Sequence, residues 1–288
     1  MSFTSHYLTC AGREIHYTEW GAQHSDIVIA WHGLARTGRD MDELAAHLSK
    51  RYRVICPDTI GRGLSQWSPD PKSEYQLAFY TRIATDLFDQ LHIEMAHWVG
   101  TSMGGSIGML CAAGLLQPSM KPRIQSLTLN DNAPELAQPA LARIRVYAGD
   151  PPSFATVREL EAFFRQVYKP YGWLSDGQWL RLTETSTRRL PDGCVTPHYD
   201  PAMVQQFIHY PNDYLNWEHY DALNIPVLCL HGAESDLVLS ETIAEMQRRG
   251  PGARAQLEVM EVQGCGHAPA LNVPAQLDRV AAFIDAAR

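Results

Sequence analysis

The chain has 288 residues, 45% of them apolar and 19% charged. That balance suits a globular protein large enough for one α/β domain with an insertion, or for two domains. With 24 basic and 32 acidic residues the formal net charge is −8, which argues against nucleic acid or an anionic membrane as the main partner. No apolar stretch approaches the length needed to cross a bilayer. The opening Met1-Ser2-Phe3-Thr4-Ser5-His6-Tyr7 has no basic stretch followed by an apolar run, so a cytoplasmic location is expected. The six cysteines lack Cys-x-x-Cys spacing, and in this context they are expected as reduced thiols. Metal-ligand spacing such as His-Glu-x-x-His is absent, and no metal or other cofactor is expected.

Taken in chain order, Tyr7–Cys10 and Glu14–Trp20 alternate around Ala11-Gly12-Arg13, which predicts an antiparallel hairpin. Ile27–Trp31 is apolar without interruption, as a parallel strand buried on both faces would be. Helical spacing follows from Asp40 to Lys50, then a strand over Tyr52–Cys56, then a long amphipathic helix from Tyr75 to His92. Ala96–Val99 and Arg123–Asn130 predict two more strands, separated by a helix from Met103. There the strand–helix alternation stops. From Ala133 to about Tyr220 the chain reads as helices and loops, with helices over Val157–Tyr168 and Asp176–Arg189, and Pro191-Asp192-Gly193 as punctuation. The alternation resumes with a strand over Ile225–Leu230, a helix over Ser240–Arg249 capped by Ser240, a strand over Ala255–Val262 and a closing helix over Val273–Ala287. The expected fold is α/β: a mostly parallel eight-stranded sheet with helices on both faces. Residues 1–133 and 223–288 form the core, and residues 134–222 a helical cap over the carboxyl ends of the strands, where open α/β sheets bind ligands.

Gly100-Thr101-Ser102-Met103-Gly104-Gly105 carries the chemistry. A Gly-x-Ser-x-Gly segment between a strand and a helix holds the serine hydroxyl exposed on a tight turn, with a helix N-terminus behind it. Such a serine needs a base, and the base needs an orienting group. Among 12 histidines, His267 in Gly264-Cys265-Gly266-His267 follows the last strand and is best placed as the base. Asp236, in Gly232-Ala233-Glu234-Ser235-Asp236, is the expected acid, with Asp131 after the preceding strand and Glu234 as alternatives. The oxyanion of a tetrahedral intermediate needs two donors. These are expected from the backbone N–H groups of Met103 and of Leu34, with Gly33 permitting a close approach and His32 bracing the loop. Asp58-Thr59-Ile60-Gly61-Arg62-Gly63-Leu64-Ser65 lacks the spacing and the lysine of a phosphate loop and reads as a structural turn.

These segments, taken together, resemble the α/β-hydrolase superfamily across nearly the whole chain. The matching pieces are His32-Gly33, Asp58-x-x-Gly61-x-Gly63-x-Ser65, Gly100-x-Ser102-x-Gly104-Gly105, Gly232-x-x-x-Asp236 and Gly266-His267. The resemblance implies Ser102, Asp236 and His267 as a catalytic triad. Members that open epoxides or halogenated carbons carry aspartate at the elbow, and Ser102 departs from them. Within the serine branch the chain looks most like small bacterial esterases, lactonases and meta-cleavage-type carbon–carbon hydrolases. The expected activity is hydrolysis of a small-molecule carboxylic ester. The rivals are cleavage of a vinylogous diketone or a lactone, and a non-catalytic receptor of the same fold. Cap aromatics such as Tyr168, Tyr171 and Trp179 are expected to form mostly the cap's own core. Arg143, Arg145, Arg165, Arg188 and Arg189 are expected at the surface. A pair of them facing the cleft would imply a carboxylate-bearing or coenzyme A substrate.

Overall fold

The computed structural model describes residues 2–287. Its strands in chain order are β1 (Phe3–Cys10), β2 (Arg13–Trp20), β3 (Ile27–Trp31), β4 (Arg53–Pro57), β5 (Ala96–Thr101), β6 (Ile124–Asn130), β7 (Thr187–Arg189), β8 (Val195–Pro197), β9 (Val227–Gly232) and β10 (Leu257–Val262). Eight of them form one sheet in the order β1-β2-β4-β3-β5-β6-β9-β10. The first hairpin is antiparallel and joins β4 antiparallel; all later neighbours are parallel. Cys10 pairs with Arg13 across the two-residue turn Ala11-Gly12, where φ is 49° and 76°. Positive φ at both turn residues matches the right-handed twist of the flanking strands.

The main helices are α1 (Asp42–Leu48), α2 (Pro71–Glu74), α3 (Leu77–Gln90), α4 (Met103–Ala113), α5 (Gln138–Gly149), α6 (Val157–Val167), α7 (Asp176–Thr185), α8 (Gln205–His209), α9 (Trp217–Ala222), α10 (Ser240–Arg248), α11 (Gly250–Ala253) and α12 (Pro274–Ala286). Alternation along each central strand sends side chains to opposite faces. Ile29, Trp31, Trp98 and Cys229 join the apolar cluster that holds α3 and α4. Val28, Ala30, Val99, Leu228 and Leu230 join the one that holds α1 and α12. This is why these strands read as continuous apolar runs. Ser240 is the first residue of α10 and makes no capping bond; the cap position is Leu239.

Residues 134–222 add no strand to the large sheet. Their middle part, α6 to β8, has an apolar cluster of its own, built on Leu160, Phe164, Tyr168, Trp179 and Val195. By contrast, α5 and residues 199–222 pack into the core cluster through Leu141, Met203, Tyr214 and Tyr220. The helix expected over Asp176–Arg189 stops at Thr185. Thr187–Arg189 instead pairs antiparallel with Val195–Pro197. The Pro191-Asp192-Gly193 turn between them, with Gly193 at φ 89°, and the β-branched Thr187, Val195 and Thr196 outweigh the helical spacing.

Candidate active site

Ser102 sits between the end of β5 and the start of α4, with φ 51° and ψ −117°. For a residue with a Cβ this backbone costs about 1–3 kcal/mol, and the turn's surroundings impose it. A Cβ on Gly100 would lie 2.3 Å from the Gly104 backbone, and one on Gly104 would lie 2.2 Å from the Trp31 carbonyl oxygen. Only glycines let β3, β5 and α4 approach this closely. The Ser102 N–H donates to the Asn130 carbonyl at 3.0 Å.

The loop after β10 brings His267 to this turn. The Ser102 hydroxyl lies 2.9 Å from His267 Nε2, and His267 Nδ1 lies 2.6 Å from Asp131 Oδ2. Asp131 is fully buried. Its Oδ1 accepts the Gly232 N–H at 2.9 Å, and Oδ2 accepts the Ser235 hydroxyl at 2.7 Å. The acid expected from the sequence was Asp236, and the structure corrects it. Asp236 is more than half exposed and lies 2.7 Å from Arg143 on α5, with no contact to His267. Glu234 is exposed as well. The reason is the course of the loop after β9. Leu237 and Val238 turn inward and are buried, and Ser235 accepts the Val238 N–H at 3.1 Å. That turn leaves Asp236 on the solvent-facing wall of the cleft, opposite Arg143.

Three consecutive residues at the end of β6, Asn130 to Asn132, thus serve the site. Asn130 receives the Ser102 N–H and donates its own amide to Thr101 Oγ1 and the Pro269 carbonyl at 3.0 and 2.8 Å. Asp131 holds His267. The Asn132 amide, oriented to satisfy its neighbours, donates to the Ser102 carbonyl and Ser106 Oγ, each at 3.1 Å. Sequence reasoning missed both asparagines. A run of three short polar residues at the end of an apolar strand was the available signal.

The loop after β3 faces the same turn. His32 Nδ1 donates to the Gly33 carbonyl at 2.6 Å, while Nε2 accepts the Thr59 N–H at 2.9 Å. These partners select the neutral Nδ1–H tautomer, and burial pushes the His32 pKa down to about 4. The peptide that His32 grips by its carbonyl is the one that carries the Leu34 N–H. The next peptide is held too, since Arg62 Nε donates to the Leu34 carbonyl at 2.8 Å. Arg62 is buried without a carboxylate partner among the described residues; it also donates to the Ile60 carbonyl at 2.8 Å and the Tyr80 hydroxyl at 3.1 Å. The segment read as a structural turn is therefore a brace for the loop. Gly33 differs from expectation. A Cβ there would stand 3.6 Å from Ser102 Cβ, an ordinary contact, so it would occupy space above the serine without blocking the chain's approach.

Ser102, His267 and Gly33–Arg36 open onto a cavity of about 470 Å³. Its other walls include Arg143, Ile144, Tyr147, Tyr168 and Tyr171 from the 134–222 segment, together with Glu234 and Asp236. Trp179 belongs to the segment's own apolar cluster. Of the arginines expected at the surface, Arg143 lines the cavity, whereas Arg188 stacks over Trp67 at 4.4 Å and Arg165 pairs with Glu161 and Asp176. Arg36, which sequence reasoning passed over, is a second cation on the wall. It is buried and already neutralised by two 2.6 Å bonds to Asp40, and its guanidinium lies 4.5 Å from the Tyr168 ring centroid. No group of three or more His, Cys, Asp or Glu side chains able to hold a metal ion occurs among the described residues.

A family model described as alpha/beta hydrolase fold matches residues 26–272. The chain belongs to the α/β-hydrolase family. It is 37% identical over 271 residues to the 3-hydroxybutyrate-oligomer hydrolase of Cupriavidus necator, covering 91% of this chain and 89% of that one. It is 26% identical over 243 residues to the 2-(acetamidomethylene)succinate hydrolase of Mesorhizobium japonicum, covering 84% and 81%. Among solved structures, an alpha/beta hydrolase from Novosphingobium aromaticivorans superposes with a TM-score of 0.84 at 30% identity, covering 98% of both chains. The family and its named relatives are hydrolases, and the protein is an enzyme of that class.

Proposed function

We propose that this α/β hydrolase is a cofactor-independent serine hydrolase of carboxylic esters. The observation that carries this reading is the hydrogen-bonded chain Ser102–His267–Asp131, at 2.9 and 2.6 Å, opening into the cavity. Ser102 Oγ attacks the ester carbonyl carbon as its proton passes to His267 Nε2. Asp131 fixes the Nδ1–H tautomer and stabilises the imidazolium. The oxyanion takes hydrogen bonds from the Leu34 and Met103 N–H groups. Collapse breaks the acyl carbon–oxygen bond, and His267 returns the proton to the departing alcohol. Water, deprotonated by His267, then attacks the acyl-enzyme and releases the acid and free Ser102.

The substrate class supported best is a short oligoester of a hydroxy acid. The relative named as a 3-hydroxybutyrate-oligomer hydrolase spans nearly the same length, and the cavity offers three phenols beside an arginine. Hydrolysis of the linear 3-hydroxybutyrate dimer and trimer, followed by proton release, tests this. Wild type is expected to turn both over and Ser102→Ala to lose at least about three decades of kcat. Equal activity in Ser102→Ala sinks the mechanism. The rival carbon–carbon cleavage requires a cation for a substrate carboxylate, and Arg143 in the cavity supplies one. Faster turnover of a ring-cleavage diketone than of either ester would favour it.

A further inference from the structure

We infer that Arg143 is the specificity residue for the substrate's free carboxylate, and that Asp236 holds its place when the site is empty. The inference rests on the ester-hydrolase reading. It starts from the position that Asp236 occupies. The loop after β9 presents Asp236 at the cavity wall, yet His267 is served by Asp131. What Asp236 does contact is Arg143, with Nη1 and Oδ2 2.7 Å apart. Both side chains are more than half exposed, 58% and 57%, and both line the cavity that contains Ser102.

An ion pair this exposed to water contributes little to stability, because solvent screens it and ordering two long side chains opposes it. A carboxylate arriving from solution can therefore replace Asp236 on the guanidinium at small cost. A guanidinium also presents a planar fork that fits a second carboxylate as well as the first. The other cation on the wall is not available in this way. Arg36 is buried, and two bonds to Asp40 and one to Ser186 at 2.9 Å occupy it. The remaining charges on the wall, Glu234 and Asp236, repel an anion. Arg143 is thus the group that admits one. A hydroxy-acid oligoester has a free carboxylate at one end, which its methyl ester lacks. Because Arg143 stands on α5 and Asp236 on a core loop, the swap takes place across the line between the inserted segment and the sheet.

The test compares the 3-hydroxybutyrate dimer with its methyl ester, which lacks the charge. The quantity read is the ratio of KM for the acid to KM for the methyl ester. Arg143→Gln is expected to raise that ratio at least tenfold, and Asp236→Asn to lower it severalfold by removing the competitor. If the pair were only a latch between α5 and the core, the two variants would shift both substrates alike and in the same direction; that result overturns the inference. If wild type hydrolyses neither compound, the ester-hydrolase reading fails by itself. Calorimetry of 3-hydroxybutyrate binding to Ser102→Ala then decides the inference separately. Binding that Arg143→Gln weakens at least tenfold supports it, and binding indifferent to Arg143, or none, overturns it.

Discussion

Ser235 and His267 share one oxygen atom of Asp131. The Ser235 hydroxyl donates to Oδ2 at 2.7 Å, and His267 Nδ1 meets the same atom at 2.6 Å. The loop in which the acid was expected therefore supplies a hydrogen bond to the carboxylate that meets His267, one residue before Asp236. The carboxylate itself comes from the neighbouring strand.

This relationship separates two aspartates. Asp131→Asn should leave His267 in the wrong tautomer and lower kcat by about four decades. Asp236→Asn should change kcat on a neutral p-nitrophenyl ester by less than tenfold. Steady-state kinetics of the two variants on that ester check it, and the reverse ranking would restore Asp236 as the acid.

Ser235→Ala removes one of the charge-assisted bonds to a fully buried carboxylate, a contribution of about 1.5–3 kcal/mol. The expected result is a lower melting temperature and a loss of about tenfold in kcat with little change in KM. An unchanged kcat beside a lowered melting temperature would restrict Ser235 to a structural role.

His32 orients the Leu34 peptide, so His32→Ala should lower kcat by about two decades, the usual effect of losing one oxyanion donor. His32→Gln can still donate to the Gly33 carbonyl and accept from Thr59, and should recover part of that loss. The same residue predicts a pH dependence. Its folded pKa of about 4 lies below the ordinary 6.5, so the unfolded chain binds the proton more readily between those values. The His32 contribution, about 3 kcal/mol in full, is present above pH 6.5 and is lost as pH falls toward 4. Denaturant melts of His32→Gln across this window should show a shallower loss than wild type.

Asp213 works in the opposite direction. Burial raises its pKa to about 6, against the bonds it accepts from the Leu77 N–H and Gln206. A carboxyl with a raised folded pKa destabilises the fold once it ionises, so the penalty is absent below the unfolded value and is complete above pH 6. Asp213→Asn should therefore gain up to about 3 kcal/mol at pH 8 and nothing near pH 4. Chemical denaturation at the two pH values checks it, and an equal gain at both would remove ionisation as the cause.

How much of this was legible in the sequence depends on the range of the constraint. Ser102 and the glycines at 100 and 104 form a contiguous motif, because the turn's steric demands act between near neighbours. Strand β3 is legible for a similar reason, since burial on both faces leaves an unbroken apolar run. The β7–β8 hairpin was hidden because helical spacing and turn chemistry compete over the same residues, and pairing across the hairpin decides the outcome. Arg36 and Arg62 carry no local signal of burial. Their burial follows from Asp40, Tyr168, Leu34 and Tyr80, most of them distant in sequence.

Three features are legible without the fold: the α/β alternation, the serine between β5 and α4, and the histidine after β10. Each is written in a local pattern of glycines and apolar residues. Packing selects which carboxylate meets that histidine. Asp131 and Asp236 both follow parallel strands that lie side by side, β6 and β9, and local sequence cannot rank them. The inward turn of Leu237 and Val238 ranks them, because burying those two side chains leaves Asp236 facing Arg143 and water, and leaves Asp131 beneath His267.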